Sequence, residues 1–192
     1  MKHFLKAGLF AAALALSAGV FATASVASTL DFTGAGAQGG GAYVEDGLAF
    51  DDIRIVNGNC DAVSGRPCGA LNDNETSILT KVGGGTFSLT SFWYQLLGKG
   101  HDESNTLFVT TDLGGLLTFA ANLVGHNDDG HYVDVSALSA FQNITSLTFS
   151  TNGGGNVRID DIEVAAVPLP AGGFLLIGGL GALAALRRRK QV

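Results

Sequence analysis

Residues 86–97 read TFSLTSFWYQLL and contain neither a charged residue nor a proline. Side chains of a β-strand point alternately to opposite faces of its sheet. One face of this segment would carry Phe87, Leu89, Ser91 and Trp93, and the other would carry Ser88, Thr90, Phe92 and Tyr94. Large apolar groups occur on both faces, and we predict a strand with one face in a hydrophobic core.

The second face of this strand has two interpretations. Phe92 and Tyr94 either pack under a covering loop, as large aromatic residues of small domains commonly do, or lie exposed as a ligand-binding surface on which sugar rings stack. The sequence leaves both open.

Eight further segments alternate apolar and polar residues or form short apolar runs, namely 29–33, 48–56, 77–82, 106–111, 116–121, 132–136, 144–150 and 157–164. Glycine-rich breaks at 34–41, 83–85, 114–115 and 153–155 separate several of them. Nine short strands without helical periodicity predict one all-β domain over residues 28–166, an antiparallel, jelly-roll-like β-sandwich.

Residues 1–27 have the pattern of a secretory signal peptide. Lys2 and Lys6 precede an apolar core at 9–20 that is too short to span a membrane, and small residues place cleavage after Ala24 or Ala27. We therefore expect an N-terminal signal helix that is removed and a body that is exported.

Residues 167–192 contain three parts in order. Residues 167–171 read VPLPA, residues 172–186 are apolar and rich in glycine, and the basic end consists of Arg187, Arg188, Arg189 and Lys190. The uncharged stretch 167–186 is about long enough as a transmembrane helix, and the cations favour the cytoplasmic side, which places the body outside. Pro168 and Pro170 keep the pentapeptide out of the helix. A plain membrane anchor is the alternative.

This tail resembles the VPLPA variant of the PEP-CTERM sorting signal of Gram-negative bacteria. The motif residues are Val167, Pro168, Leu169, Pro170 and Ala171. The resemblance implies that an exosortase, an integral-membrane cysteine protease, recognises and removes the tail while the protein moves to the cell surface or the extracellular matrix. Because it concerns the tail alone, the activity of the body is left open.

Charge is distributed unevenly between the ends and the body. Six of the 11 cations lie in the two terminal segments, so the body carries 5 cations against 17 carboxylates, a net charge of −12. Such a body repels nucleic acid. The same excess of carboxylates favours calcium as a cofactor at extracellular concentrations.

Cys60 and Cys68 are the 2 cysteines of the chain. In an exported protein we expect them to form one local disulfide. A zinc-binding pair is the alternative, although no second cysteine pair completes a tetrahedral site.

Asp160 and Asp161 interrupt the last predicted strand. The apolar residues on either side of them differ in parity, and a β-bulge at the doublet would return all four to the core: Val157, Ile159, Ile162 and Val164. Residues 158–164 resemble the closing strand of jelly-roll and galactose-binding-like modules, which often hold a structural calcium at the sandwich edge. The resemblance implies that Asp160 or Asp161 is a calcium ligand. A solvated strand end is the alternative.

Two other acidic segments are candidate sites, Asp51-Asp52 and the loop 126–131, which reads HNDDGH. Histidines five residues apart could bind a transition metal, but Asn-Asp-Asp-Gly is first of all a turn sequence. No nucleophile elbow, zinc-protease motif or phosphate-binding loop occurs, so no catalytic residue is predicted.

We expect a non-enzymatic structural or adhesive protein of the cell surface or matrix. The first alternative is a carbohydrate-binding module, which would need exposed aromatic rings at Phe92, Trp93 or Tyr94. The second is an extracellular hydrolase, which would need two carboxylates or a metal in a cleft. Expected partners are an exosortase-type membrane protease, the membrane and a polysaccharide.

Overall fold

The computed structural model describes residues 27–98, 104–123 and 126–166. Within these ranges the chain forms twelve strands: β1 (Ala27–Leu30), β2 (Tyr43–Glu45), β3 (Leu48–Phe50), β4 (Arg54–Val56), β5 (Cys68–Leu71), β6 (Thr76–Lys81), β7 (Phe87–Leu97), β8 (Ser104–Thr111), β9 (Leu116–Asn122), β10 (His131–Asp134), β11 (Ser146–Gly153) and β12 (Asn156–Ala166). A 3-10 helix at Ser139–Phe141 precedes β11. In this part of the chain no helix is long and apolar enough to cross a membrane.

The predicted signal helix, apart from Ala27, which begins β1, and the sorting tail fall outside the described residues. This applies to the VPLPA motif at 167–171, to the predicted transmembrane helix at 172–186 and to the basic end at 187–190. They stay predictions from the sequence.

The strands form two antiparallel sheets that pack as a sandwich, which confirms the predicted all-β class. The first sheet has the order β10-β7-β12-β5-β4, and β1 also pairs with β12. β12 is its central strand, because β7 runs along one edge while β1 and β5 lie end to end along the other. The second sheet has the order β2-β3-β6-β11-β8-β9.

Aromatic side chains from both sheets meet in the core. Phe92 of the first sheet packs edge-to-face on Phe149 of the second, with ring centroids 5.8 Å apart. Phe50 lies 6.0 Å from Phe149 by the same measure. All three are at most 1% exposed, and burial of each ring contributes about 1.5–3 kcal/mol to folding.

The predicted β-bulge in β12 is present. Asp160 lies opposite Trp93 and Glu163 lies opposite Ser91, so β12 has one extra residue between these two pairs. Asp161 takes a left-handed backbone conformation there, with φ 46°. As expected, the apolar residues on both sides of the bulge reach the core: Val157, Ile159, Ile162 and Val164.

The prediction of one continuous alternation along residues 86–97 is wrong. Next along the ladder Val164 lies opposite Leu89, so β7 carries an extra residue of its own. Its core-facing set changes accordingly, from Phe87 and Leu89 to Phe92, Tyr94 and Leu96. This change in which residues of β7 face the core follows from pairing with the bulged β12. It explains why both faces of the segment look apolar in the sequence.

Residues 48–56, predicted as one strand, form two strands of different sheets. β3 pairs with β6 in the second sheet, whereas β4 pairs with β5 in the first. The chain turns between them where the Asp51 carboxylate accepts a hydrogen bond from the Ile78 N–H at 2.7 Å. Strands β2 and β5 are additional to the nine predicted, because three or four residues show too little alternation to be recognised.

Candidate functional site

The outer face of the first sheet, turned away from the core, carries several polar residues that the sequence singled out. Directly paired residues of antiparallel strands present their side chains on the same face. The rows across β10, β7 and β12 are Tyr132, Trp93 and Asp160, then Asp134, Ser91 and Glu163, while Gln95 pairs with Arg158 further along.

The loop 57–67 crosses this outer face and closes over part of it. The Ser64 hydroxyl donates a hydrogen bond to Asp160 Oδ2 at 3.0 Å. Gln95 Nε2 donates to Asp61 Oδ2, also at 3.0 Å. The predicted disulfide between the two cysteines is present and ties this loop to the start of β5. The loop thereby buries the side chains of Asp160 and Gln95.

Asp160 is a buried acid. Its side chain has no exposed surface, and this burial raises its pKa to about 8, although hydrogen bonds from the Asp161 N–H and from Ser64 act in the opposite direction. Arg158, two residues earlier on the same face, donates instead to the carbonyl oxygens of Gly58 and Val157. Asp160 is therefore mostly protonated at neutral pH.

The alternative of a solvated strand end at the aspartate doublet is wrong, because Asp160 and Asp161 are 0% and 7% exposed. No group of three or more His, Cys, Asp or Glu side chains in the described ranges is arranged to hold a metal ion. Calcium binding at either aspartate stays a prediction, and it would require Asp160 to lose its proton.

The three consecutive aromatic residues of β7 are buried. Phe92 and Tyr94 face the core and are 0% and 7% exposed, whereas Trp93 faces outward but is only 4% exposed. Gly130 covers the indole, since a Cβ on Gly130 would lie 2.5 Å from Cζ2 of Trp93. Tyr94 packs on Phe119 of the second sheet with centroids 4.4 Å apart. Phe92 and Tyr94 therefore do not form an exposed ligand-binding surface, and the packing interpretation holds.

Tyr132 keeps an exposed aromatic ring on this outer face. The residue is 48% exposed, and its hydroxyl donates to Glu163 Oε1 at 3.3 Å. The other carboxylate oxygen of Glu163 accepts a hydrogen bond from the Ser91 hydroxyl at 2.8 Å. Partial burial, followed by the negative charges of Glu163 and Asp161, raises the pKa of Tyr132. The Tyr132 phenol therefore stays protonated, and its hydrogen bond to Glu163 fixes the orientation of its hydroxyl group.

The histidine-containing loop 126–131 is anchored to the first sheet. Nε2 of His131 lies 2.8 and 2.9 Å from the two carboxylate oxygens of Asp128. The main-chain oxygen of Asp128 accepts a hydrogen bond from Gln95 at 2.8 Å. These contacts hold Gly130 over Trp93, so the loop serves as a cover of the outer face.

A small groove of about 70 Å³ lies beside β4 and β5 and brings two carboxylates together, those of Asp52 and Glu75. Arg54 also lines this groove and forms an ion pair with Glu75 at 2.9 Å. This hydrogen bond with Arg54 lowers the pKa of Glu75. Asp52 accepts a hydrogen bond from the Gly41 N–H at 2.6 Å. A lowered pKa is the wrong direction for a general acid at neutral pH.

Sequence reasoning did not select Tyr132 or Glu163 as site residues. A signal for Tyr132 was present, because residues 132–136 read YVDVS and their alternation puts the tyrosine on the polar side with Asp134 and Ser136. The alternation could not show which residue lies beside Tyr132. Glu163 follows the bulge, and only the pairing of β12 with β7 brings it beside Tyr132.

No known family model matches the sequence, and no curated protein matches it significantly. Among solved structures, the CBM22-1 xylan-binding domain of Paenibacillus barcinonensis Xyn10C is 13% identical, with a TM-score of 0.38 over 76% of this chain and 97% of that chain. The family 11 carbohydrate-binding module of Clostridium thermocellum Lic26A-Cel5E is 12% identical, with a TM-score of 0.35 over 77% of this chain and 99% of that chain. Structural similarity at these TM-scores does not show what this chain binds.

Proposed function

We propose that this chain is an exported, non-enzymatic, jelly-roll-like β-sandwich that binds polysaccharide on the outer face of its first sheet, around Tyr132. The observation that carries the proposal is the geometry of this tyrosine. The residue is 48% exposed, and its hydroxyl donates a hydrogen bond to Glu163, which also accepts one from Ser91.

A sugar ring has an apolar face and a rim of hydroxyl groups. The apolar face packs on an aromatic ring, while the hydroxyls donate to nearby acceptors, and bonds to carboxylates are the stronger ones. Tyr132 supplies the ring, and Glu163 and Asp134 supply carboxylates in the adjacent row of the sheet. Because Glu163 already orients the phenol, little side-chain entropy is lost on binding.

The absence of catalysis is part of the proposal. In the groove beside β4 and β5, Glu75 is bound to Arg54 and its pKa is lowered, so Glu75 lacks the raised pKa that a glycosidase acid requires. At Tyr132, the phenol donates to Glu163 rather than activating a nucleophile. These observations favour binding over hydrolysis.

Export and sorting rest on the sequence. The signal peptide at 1–27 directs the chain out of the cytoplasm, and the tail at 167–192 resembles an exosortase substrate. On this basis the protein is anchored in the membrane first and is then released to the cell surface or the extracellular matrix.

A purely structural or adhesive role is the second candidate. It is favoured by the burial of Phe92, Trp93 and Tyr94, which removes three aromatic rings from any sugar-binding surface. In that case Tyr132 would be an ordinary exposed edge residue.

Binding of the full chain to soluble polysaccharides of different backbone sugars, measured by affinity electrophoresis and calorimetry, tests the proposal. We expect Tyr132→Ala to weaken binding about tenfold or more, and Glu163→Gln to weaken it less because the ring remains. Leu113→Ala, at a residue 57% exposed in the turn after β8, is the matched control and should bind like wild type.

Two results would contradict polysaccharide binding at this face. One is a wild-type chain that binds none of the polysaccharides. The other is a Tyr132→Ala variant whose affinity equals that of Leu113→Ala. Either result would leave the structural or adhesive role as the better account.

A further inference from the structure

Strand β9 is an unprotected edge of the second sheet. It is 7 residues long, reads LLTFAAN and contains no charge, proline or glycine. Among the described residues it pairs with β8 alone. An edge strand of this kind presents unpaired main-chain groups to another strand.

The other edge strands of the two sheets, β1, β2, β4 and β10, have only 3 or 4 residues each. β2 has 3 residues, and the carboxylate of its Glu45 accepts hydrogen bonds from the main chain of Asp31 and Phe32. β4 also has 3 residues, and Gln38 forms a bridge to it at Ile55. β10 has 4 residues, with His131 and Asp134 at its ends. Shortness, charge and cover are the usual protections of an edge, and within the part of the chain that the structure describes β9 has none of them.

The β8–β9 turn determines which main-chain groups of β9 are free. Thr111 N–H donates to the Gly115 oxygen at 3.0 Å, and hydrogen-bonded pairs of an antiparallel ladder recur at every second residue. The main-chain groups of three residues of β9 therefore form hydrogen bonds with β8, namely those of Leu117, Phe119 and Ala121. The N–H and C=O groups that point away from β8 belong to Leu116, Thr118, Ala120 and Asn122, whose side chains are all exposed.

We propose that β9 pairs antiparallel with β9 of a second copy of this chain, joining the two second sheets across a two-fold axis. The free residues are placed symmetrically about Phe119, so an antiparallel copy sets Leu116 opposite Asn122 and Thr118 opposite Ala120. This register forms about eight main-chain hydrogen bonds. It is self-complementary, as a two-fold interface must be.

A second copy fits this edge for two reasons. It offers a strand of equal length whose outward-facing residues match the free ones, with no charge in any pair. It also sets the two Phe119 rings opposite each other on the inner face, where each is only partly buried by its own core. Two bodies of net charge −12 repel, so the uncharged edge is where they can meet, and added salt should strengthen the dimer.

This inference is independent of polysaccharide binding, since β9 and Tyr132 belong to different sheets. If both hold, each dimer presents two Tyr132 faces and gains avidity for a repeating polymer. A variant that is monomeric should keep the affinity of the single site.

Sedimentation of the full chain over a concentration series tests the dimer. Thr118→Pro removes a donor that is free in the monomer, and proline is tolerated at such edge positions. We expect its dimer dissociation constant to rise about tenfold or more. Val44→Lys, at a residue 61% exposed on the β2 edge, is the control and should dimerise like wild type.

The register has its own test, which does not depend on how well the proline variant folds. Chains carrying Thr118→Lys mixed with chains carrying Ala120→Glu should form heterodimers in preference to either homodimer, because the introduced ammonium group of one chain then faces the introduced carboxylate of the other. A wild-type chain that stays monomeric at every soluble concentration would overturn the proposal. So would a Thr118→Pro dimer as tight as the control, or random mixing of the two charged variants.

Discussion

Asp160 is the residue whose ionisation the fold opposes most clearly. It lies under the loop 57–67 with its carboxyl group bound to the Ser64 hydroxyl and the Asp161 N–H. Burial raises its pKa from 3.8 to about 8. The folded chain consequently holds a proton that the unfolded chain releases, and the free energy of unfolding must depend on pH through this group.

The Asp160 contribution to stability is fully present below about pH 4 and is lost as pH rises through about 8. Within this window we expect the free energy of unfolding to fall by at most about 1.4 kcal/mol per pH unit. Asp160→Asn, which resembles the protonated acid, should remove most of this slope. Urea unfolding at a series of pH values between about 5 and 8 measures it.

Asp112→Asn is the matched control, because the Thr145 hydroxyl lowers the pKa of Asp112 and so places its titration below this window. A slope that persists in Asp160→Asn would contradict the assignment.

The same variants test calcium, which binds the ionised form. If the doublet is a site, calcium should raise the melting temperature more at high pH than equal ionic strength of sodium does, and Asp160→Asn should lose that response.

Among the elements, the loop 57–67 determines what the outer face of the first sheet can contact. Its hydrogen bonds to Asp160 and Gln95 span 96 and 34 residues of sequence, and its disulfide closes a separation of 8 residues. Both cysteines are buried, at 3% and 0% exposure. The loop is therefore tied at one end and hydrogen-bonded across the sheet.

Replacing Cys60 and Cys68 together by serine should lower the free energy of unfolding by about 2–3 kcal/mol, because the cross-link restricts the unfolded chain. A looser loop should also admit water to Asp160 and reduce the pH slope. Chemical unfolding of the oxidised, reduced and doubly substituted chains measures both effects. Two titratable thiols in the oxidised, denatured chain would contradict the bridge.

For the chain as a whole, the sequence predicts that the tail at residues 167–192 directs where the sandwich is delivered. Residues 167–192 combine the VPLPA motif, an uncharged stretch and four terminal cations. A separable tail of this kind predicts two forms of the protein, one held at the membrane and one released.

Mature protein recovered from cells should lack the residues after about Ala171, by analogy with the sorting signal that the tail resembles. Changing Pro168 and Pro170 to alanine should leave an uncut, membrane-bound form, because the motif could then continue the helix. Intact-mass measurement of membrane and extracellular fractions checks this. Arg187 still attached in the extracellular fraction would rule out the sorting signal.

Features that depend on neighbouring residues along the chain could be predicted from the sequence. The alternation of short apolar segments predicted the antiparallel sandwich, and the parity change around Asp160 and Asp161 predicted the bulge, which the pairing of β12 confirms. Two cysteines in a chain with the pattern of an exported protein predicted one local disulfide, and it is present. Each is a local signal, because side-chain direction and loop closure are properties of contiguous backbone.

Which side chains are covered depends on contacts between residues that are far apart in the sequence. Trp93 is buried because Gly130 lies on it, and Asp160 is buried because Ser64 reaches it from 96 residues away. Tyr132 is exposed beside Glu163 because β10 and β12 both pair with β7. Burial depends on what packs across a face, and no periodicity within one strand carries that information, so the exposed aromatic residue was not the one that the sequence suggested.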